Sequence, residues 1–262
     1  MGLPTASEEL KLIIDAGRQA ADVALQYFQR GTLRVEYKEN DSPVSEGDFA
    51  VDAFLKQHLL DARPSYGWLS EETADHDPSS RIAAPRAFIV DPIDGTRAYI
   101  SGRRRWCISI AVIEDGRPIA GVLNCPALQE EYSACADEAD IEMPLGAAGS
   151  STVGGKSTLV RSLRKQMPGH RIEESGYVPS LAYRIAMVAD GRLQGTFVRA
   201  NSHEWDLAAA DLIASKAGAH LVDAQNKPIR YNQPNPKQGH LVCAAPAFIE
   251  PMLNVVSDLS FS

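Results

Sequence analysis

The sequence predicts an α/β protein in two lobes, with an α+β first half, and three observations carry that reading. Apolar residues recur at helical spacing before residue 60, β-rich runs joined by a short polar turn fill the middle, and helical and strand-like segments alternate after residue 157. A softer stretch from Leu145 to Gly155, rich in Gly, Ala, Ser and Thr, marks the boundary between lobes at 1–147 and 148–262.

Taken in order, Leu10, Ile13, Ile14, Gly17, Ala20, Ala21, Ala24 and Phe28 form one apolar stripe, so the chain opens with an amphipathic helix. Ser45 begins the run SEGD, a serine cap with an acid three residues later. Val51, Phe54, Leu55 and Leu59 give that second helix its buried face. Trp68–Ser70 reads as a short strand delivering Glu71 and Glu72, and Phe88–Val90 as another running into Asp91. Trp106–Ile113 and Pro118–Leu123 flank Glu114-Asp115-Gly116-Arg117 as a long hairpin, continued by Glu130–Ala134. Beyond the boundary, helices are expected over Ser157–Gln166, Ser180–Ala189, Glu204–Lys216 and from about Ala247. Strands are expected near Thr196–Val198, His220–Val222 and Leu241–Ala244.

The formal charge of -8 argues against non-specific binding along a nucleic-acid polymer. An anionic ligand would then need a local basic or metal site. No run approaches the roughly 18 apolar residues of a membrane span, and the first ten residues carry no secretory pattern. Gly2 invites myristoylation, but Ala6 stands where Ser or Thr is wanted. Cys107, Cys125, Cys135 and Cys243 form no CxxC pair; Cys107 and Cys125 read as small buried hydrophobes in a reducing cytoplasm.

The sharpest local feature is FIVDPIDGT, Phe88 to Thr96. Pro92 stiffens a turn between two carboxylates, which can aim Asp91, Asp94 and the Ile93 carbonyl at one hard cation such as Mg²⁺. Gly95 and Thr96 offer amides at a helix start, a seat for phosphate. Asp-Pro and Asp-Gly are also ordinary turn dipeptides, so the run alone leaves both readings open. In Trp205–Asp211, WDLAAAD, Asp206 can be a helix cap and the alanines a close-packing face. Asp48, Glu71 and Glu72 sit at element ends, where charges are usually solvated.

Together PVSEGD (Pro43–Asp48), WLSEET (Trp68–Thr73), VDPIDGT (Val90–Thr96) and EWDLAAAD (Glu204–Asp211) resemble the inositol monophosphatase superfamily, which includes bisphosphate nucleotidases and sugar phosphatases. The resemblance implies a layered α/β/α/β/α sandwich and hydrolysis of a small phosphorylated metabolite. It further implies two or three Mg²⁺ ions, a homodimer and lithium sensitivity. It gives Glu71, Asp91 and the Ile93 carbonyl to one ion, Asp91, Asp94 and Asp206 to a second, and places a weaker third near Glu71. Thr96 with Asp48 would orient the attacking water, and the Gly95 and Thr96 amides would hold phosphate oxygens. Two departures stand out: Glu46 adds charge beside the cap, and Arg97-Ala98-Tyr99 follows DPIDGT, closer to the bisphosphate nucleotidase branch than to the inositol enzymes. Arg97, Tyr99, Ser180, Arg184, His203 and Glu204 are the expected substrate-side residues, with Arg103–Arg105 offering further guanidinium groups. The preferred expectation is removal of phosphate from 3'-phosphoadenosine 5'-phosphate, and the alternative an inositol or sugar monophosphate. A catalytically silent member of the fold would be expected to have lost a metal acid, and none is missing.

Two further signals fail on spacing. GGKST at Gly154–Thr158 lacks the P-loop's earlier glycine, since residue 150 is Ser150. His203-Glu204 lacks the second histidine of a zinc-peptidase motif, since residue 207 is Leu207.

Overall fold

The computed structural model describes residues 2–28, 33–38, 41–140 and 150–257. The expected boundary at 147/148 lies outside the described residues. From Ser150 to Gly154 the soft stretch is instead a strand, β8, inside the second sheet.

Three cores alternate with the sheets. Helix α1 (Ala6–Tyr27) and helix α2 (Glu46–Ala62) cover one face of a sheet ordered β3-β4-β5-β6-β7, with ranges Gly67–Ser70, Ala87–Asp94, Cys107–Glu114, Arg117–Cys125 and Glu130–Cys135. Helices α6 (Leu181–Ala189) and α7 (Glu204–Lys216) fill the space between that sheet and a second one. The second sheet is ordered β11-β12-β10-β8-β9: His220–Asp223, Leu241–Ala244, Gly195–Val198, Ser150–Gly154 and Arg171–Glu174. Helices α5 (Ser157–Gln166) and α8 (Pro246–Ser257) close its outer face. The expected α/β/α/β/α sandwich is therefore the fold.

Both sheets are covered on both sides, and their central strands read accordingly as mainly apolar runs. In β5, Ile108, Ile110 and Val112 face α1 and α2, whereas Cys107, Ala111 and Ile113 face the middle helices. All four cysteines are buried thiols. Strand β3 pairs parallel with β4 and the rest of the first sheet is antiparallel, the expected hairpin being β5–β6.

Not expected from the sequence are the antiparallel pair β1 (Val35–Tyr37) and β2 (Pro43–Ser45), strands β8 and β9, and the short helix α3 (Pro78–Ala83); the helix expected to start at Gly95 and Thr96 is α4 (Thr96–Ile100). β9 reads Arg-Ile-Glu-Glu with one buried residue, an edge strand that supplies no alternating pattern. The near P-loop glycines have a packing cause. Gly155 has φ +125°, and a Cβ there would stand 2.9 Å from the Phe197 Cβ.

Candidate active site

Residues three apart on a regular strand point to opposite faces. β4 breaks that parity. Asp91 lies opposite Ser109 and Asp94 opposite Cys107, so β4 takes three steps where β5 takes two. The extra residue is a bulge, and it turns both carboxylates to one side. Asp91 Oδ1 accepts from the Ile93 amide at 3.0 Å, which steadies the turn that Pro92 stiffens.

Helix α7 brings the third acid from the other half of the chain. Its alanines let it lie directly on the first sheet: a Cβ on Gly121 of β6 would meet the Ala209 Cα at 3.0 Å. The Ser109 hydroxyl donates to the Trp205 carbonyl at 3.1 Å, fixing the start of α7 against β5. Asp206 Oδ2 accepts from the His203 amide at 2.7 Å, so this acid does cap its helix. It also joins Asp91 and Asp94, with one carboxylate oxygen from each lying within 4.8 Å of the others.

Burial pushes the Asp91 carboxyl well above the usual range, and the charges of Glu71, Asp94 and Asp206 push it further. Asp206 is raised for the same first reason, with Asp94 next. Asp94 is raised to about 6 by burial, although donors oppose the shift: Ser180 Oγ at 2.6 Å, the Ala182 amide at 2.6 Å and the Leu181 amide at 3.2 Å. Three buried carboxylates this close repel unless protons or a cation intervene. An all-oxygen set of hard, anionic donors is what Mg²⁺ takes, so the residues present fit that ion.

Beside the three acids, the Thr96 hydroxyl stands 3.1 Å from Asp48 Oδ1 and 3.1 Å from the Ile93 carbonyl. Asp48 is buried and its carboxyl is pushed up to about 6 by that burial. Glu71 faces Lys38, whose Nζ is 3.0 Å from Glu71 Oε1 and 2.8 Å from Glu72 Oε1. Burial raises Glu72 to about 7. Lys38 was not expected, since a lone lysine at the end of a three-residue strand carries no local signal. Asp52 was also missed; it accepts from Ser70 Oγ and from Thr73 Oγ1, bracketing the two glutamates. Gly47, the small residue of SEGD, makes room for Tyr99, whose hydroxyl would lie 2.5 Å from a Cβ there and instead donates to the Ala24 carbonyl. Glu46 turns its charge to the Arg34 amide.

The model of the inositol monophosphatase family matches residues 6–257. The chain belongs to the inositol monophosphatase family. The 3'(2'),5'-bisphosphate nucleotidase CysQ of Salmonella typhimurium is 30% identical over 241 residues, 85% of this chain and 93% of its own. A histidinol-phosphatase of Chlorobaculum parvum is 36% identical over 126 residues, about half of each chain. A solved inositol monophosphatase/NADP phosphatase complexed with Mg²⁺ and phosphate has the same fold, with TM-score 0.80, 19% identity and 95% coverage of both chains. As an inositol monophosphatase family member the protein is a Mg-dependent phosphoric monoester hydrolase.

The residues expected on the substrate side of this family site fall into different places. Ser180 is fully buried against Asp94 and caps α6 through the Tyr183 amide at 3.0 Å. Gly95 has φ +99° and precedes α4; a Cβ there would lie 3.3 Å from both Ser180 Cβ and the Arg105 carbonyl oxygen. His203 stacks on Trp205, with ring centroids 4.4 Å apart, and burial lowers its pKa. Arg97 is exposed and donates to the Asp41 carbonyl at 3.2 Å. Glu204 is fully buried, and its two oxygens accept from the Asn232 and Gln233 amides at 2.6 and 3.1 Å. Arg184 follows Ser180 by one helical turn; its Nε is buried with no hydrogen-bond partner. Among the described residues no helix is long and apolar enough to cross a membrane.

Proposed function

We propose that this phosphatase is a 3'(2'),5'-bisphosphate nucleotidase, converting 3'-phosphoadenosine 5'-phosphate to AMP and phosphate. The observation that carries the reading is Arg184. A partly buried guanidinium with an orphaned Nε and, among the described residues, no carboxylate in ion-pair distance, one turn along α6 from the serine that holds Asp94, suits a second anionic group on the substrate. Burial depresses its pKa in spite of the Asp94 charge, so a phosphate there would further stabilise the cation. The CysQ relatives support the same choice.

In this reading Glu71, Asp91 and the Ile93 carbonyl would hold one Mg²⁺, and Asp91, Asp94 and Asp206 a second, with a weaker third near Glu71. Bound there, the ions supply Lewis acidity: they ease ionisation of the attacking water and neutralise charge on the phosphoryl oxygens and the departing alkoxide. The chain's own groups do the rest. Thr96 Oγ orients the water and Asp48, 3.1 Å behind it, accepts the hydrogen bond that fixes the hydroxyl's direction. The Gly95 and Thr96 amides orient the phosphate. Arg184, with His203 and the Ser180 turn, holds the leaving group. Arg97 borders the entrance, and Glu204 acts on substrate through the loop it clasps. The family resemblance carries a homodimer and lithium inhibition into the same proposal.

Phosphate release from 3'-phosphoadenosine 5'-phosphate, inositol 1-phosphate and histidinol phosphate, with and without Mg²⁺ and Li⁺, tests it. The bisphosphonucleotide should be turned over fastest, and Arg184→Met should raise its KM about 10–100-fold while sparing inositol 1-phosphate. Faster turnover of inositol 1-phosphate by the wild type would overturn the assignment.

A further inference from the structure

The second acid of the WDLAAAD run, Asp211, takes no part in the chemistry above. It lies five residues beyond Asp206 on α7, about 7.5 Å along the axis, and faces a separate cavity of about 560 Å³. That volume is in the range of small-molecule sites. The cavity is bounded by the later half of α7, the first residues of β11, the start of α8 and the start of β6, so both sheets contribute walls.

Its construction is specific. Residues 229–231 clip onto the β5–β6 turn through three bonds. The Ile229 carbonyl accepts from Arg117 Nη1 at 3.0 Å, the Tyr231 amide donates to the Gly116 carbonyl at 3.0 Å, and Arg230 Nη2 donates to the Asp115 carbonyl at 2.9 Å. This clip holds Tyr231, itself fully buried, so that its hydroxyl donates to Asp211 Oδ2 at 2.8 Å. No protein donor reaches the other Asp211 oxygen among the described residues. Burial carries the carboxyl up to about 7, against the Tyr231 hydrogen bond first and the Arg117 charge second. The two charges face one cavity without closing into an ion pair of their own, and Leu212, Val222 and Ile249 line the space with them. A cap or a packing role would be served by a neutral amide; an enclosed carboxylate with one neutral donor can take a cationic partner, and the exposed Arg117 guanidinium, which lines the same cavity and donates to the Ile229 carbonyl, can take an anionic one.

We propose that this cavity is a second ligand site, taking a small zwitterion whose ammonium group meets Asp211 and whose acid group meets Arg117, with its carbon chain against the apolar wall. The assignment does not depend on which phosphate ester the enzyme hydrolyses.

Calorimetric titration of the Mg-loaded protein with 4-aminobutyrate, 5-aminopentanoate and 6-aminohexanoate tests it, with butylamine and butyrate as single-charge halves. At least one amino acid should bind at one per chain, unchanged by saturating inorganic phosphate, and about tenfold tighter than either half. Asp211→Asn, which keeps the side chain's shape, and Arg117→Gln, at an exposed position, should each weaken it about tenfold or more. Both variants should release phosphate at the wild-type rate, which shows that they fold. The proposal is overturned if no member binds below about 10 mM, if butylamine or butyrate alone binds as tightly, or if neither variant weakens binding.

Discussion

Helix α2 and helix α7 begin with the same reciprocal cap and end in different chemistry. In each, the third helical residue is an aspartate whose Oδ2 accepts from the cap amide, at 2.8 Å for Ser45 and Asp48 and 2.7 Å for His203 and Asp206. The cap uses one oxygen and fixes the carboxylate, leaving the other oxygen aimed and rotationally settled. For Asp48 that spare oxygen meets Thr96, a neutral hydroxyl. Among the described residues Asp206 has no such hydroxyl; its carboxylate joins those of Asp91 and Asp94. A device that ordinarily satisfies helix amides here fixes a buried carboxylate twice, and the surroundings, not the cap, decide whether that acid meets a hydroxyl or two further acids.

Replacing each acid by its amide keeps a cap acceptor and removes the charge, so the two helices can be separated experimentally. The larger effect is expected at Asp206. Asp206→Asn should lower kcat/KM by about 10³-fold, the several kcal/mol of a lost metal acid. Its melting temperature in EDTA should match or exceed that of the wild type, because one of three repelling carboxylates has gone. Phosphate-release kinetics and thermal melts in EDTA read both quantities. Activity within about threefold of wild type would reduce Asp206 to a helix cap.

The next effect is at Asp48. Asp48→Asn should cut kcat by about 10²-fold, as loss of an orienting acceptor does, without moving the Mg²⁺ concentration for half-activity. Thr96→Val should cost a similar factor, and the double variant little more than either single one, because the two act as a unit. A fully multiplicative double variant would separate Thr96 from Asp48.

The longer helices of this fold and three of the site acids were legible because their signals are local. SEGD announced α2, the alanine run announced a close-packed α7, and Pro92 between two acids announced a stiff turn. The β4 bulge was not legible, since register belongs to a pair of strands and Asp91–Asp94 alone does not reveal how many β5 residues lie opposite. Lys38 and Asp52 were missed for the same reason: each gains meaning only from Glu71, Glu72, Ser70 and Thr73, far along the chain. Arg184 and Glu204 were both readable as polar residues near the motif. Only packing shows that one guanidinium Nε stands unpaired while the Glu204 oxygens are both taken by a loop. Strands β8 and β9 lack alternation because one is short and threonine-serine rich and the other is an edge.

The smallest effect expected concerns stability and discriminates between the two forces acting on Asp48. Burial raises its carboxyl, whereas the hydrogen bonds from Ser45 and Thr96 lower it, and burial prevails, giving about 6 against an ordinary 3.8. With the folded value above the unfolded one, the native state binds more protons between about pH 4 and pH 6. Stability of the metal-free protein contributed by this group therefore falls as pH rises through that window and is flat above it. Asp48→Asn has no such titration. Urea unfolding in EDTA should show the wild type losing on the order of 2 kcal/mol relative to Asp48→Asn across the window. A wild type that gains on the variant instead would mean that the two hydroxyls and the cap amide outweigh burial, and that α2 holds its aspartate ionised with no help from a neighbouring cation.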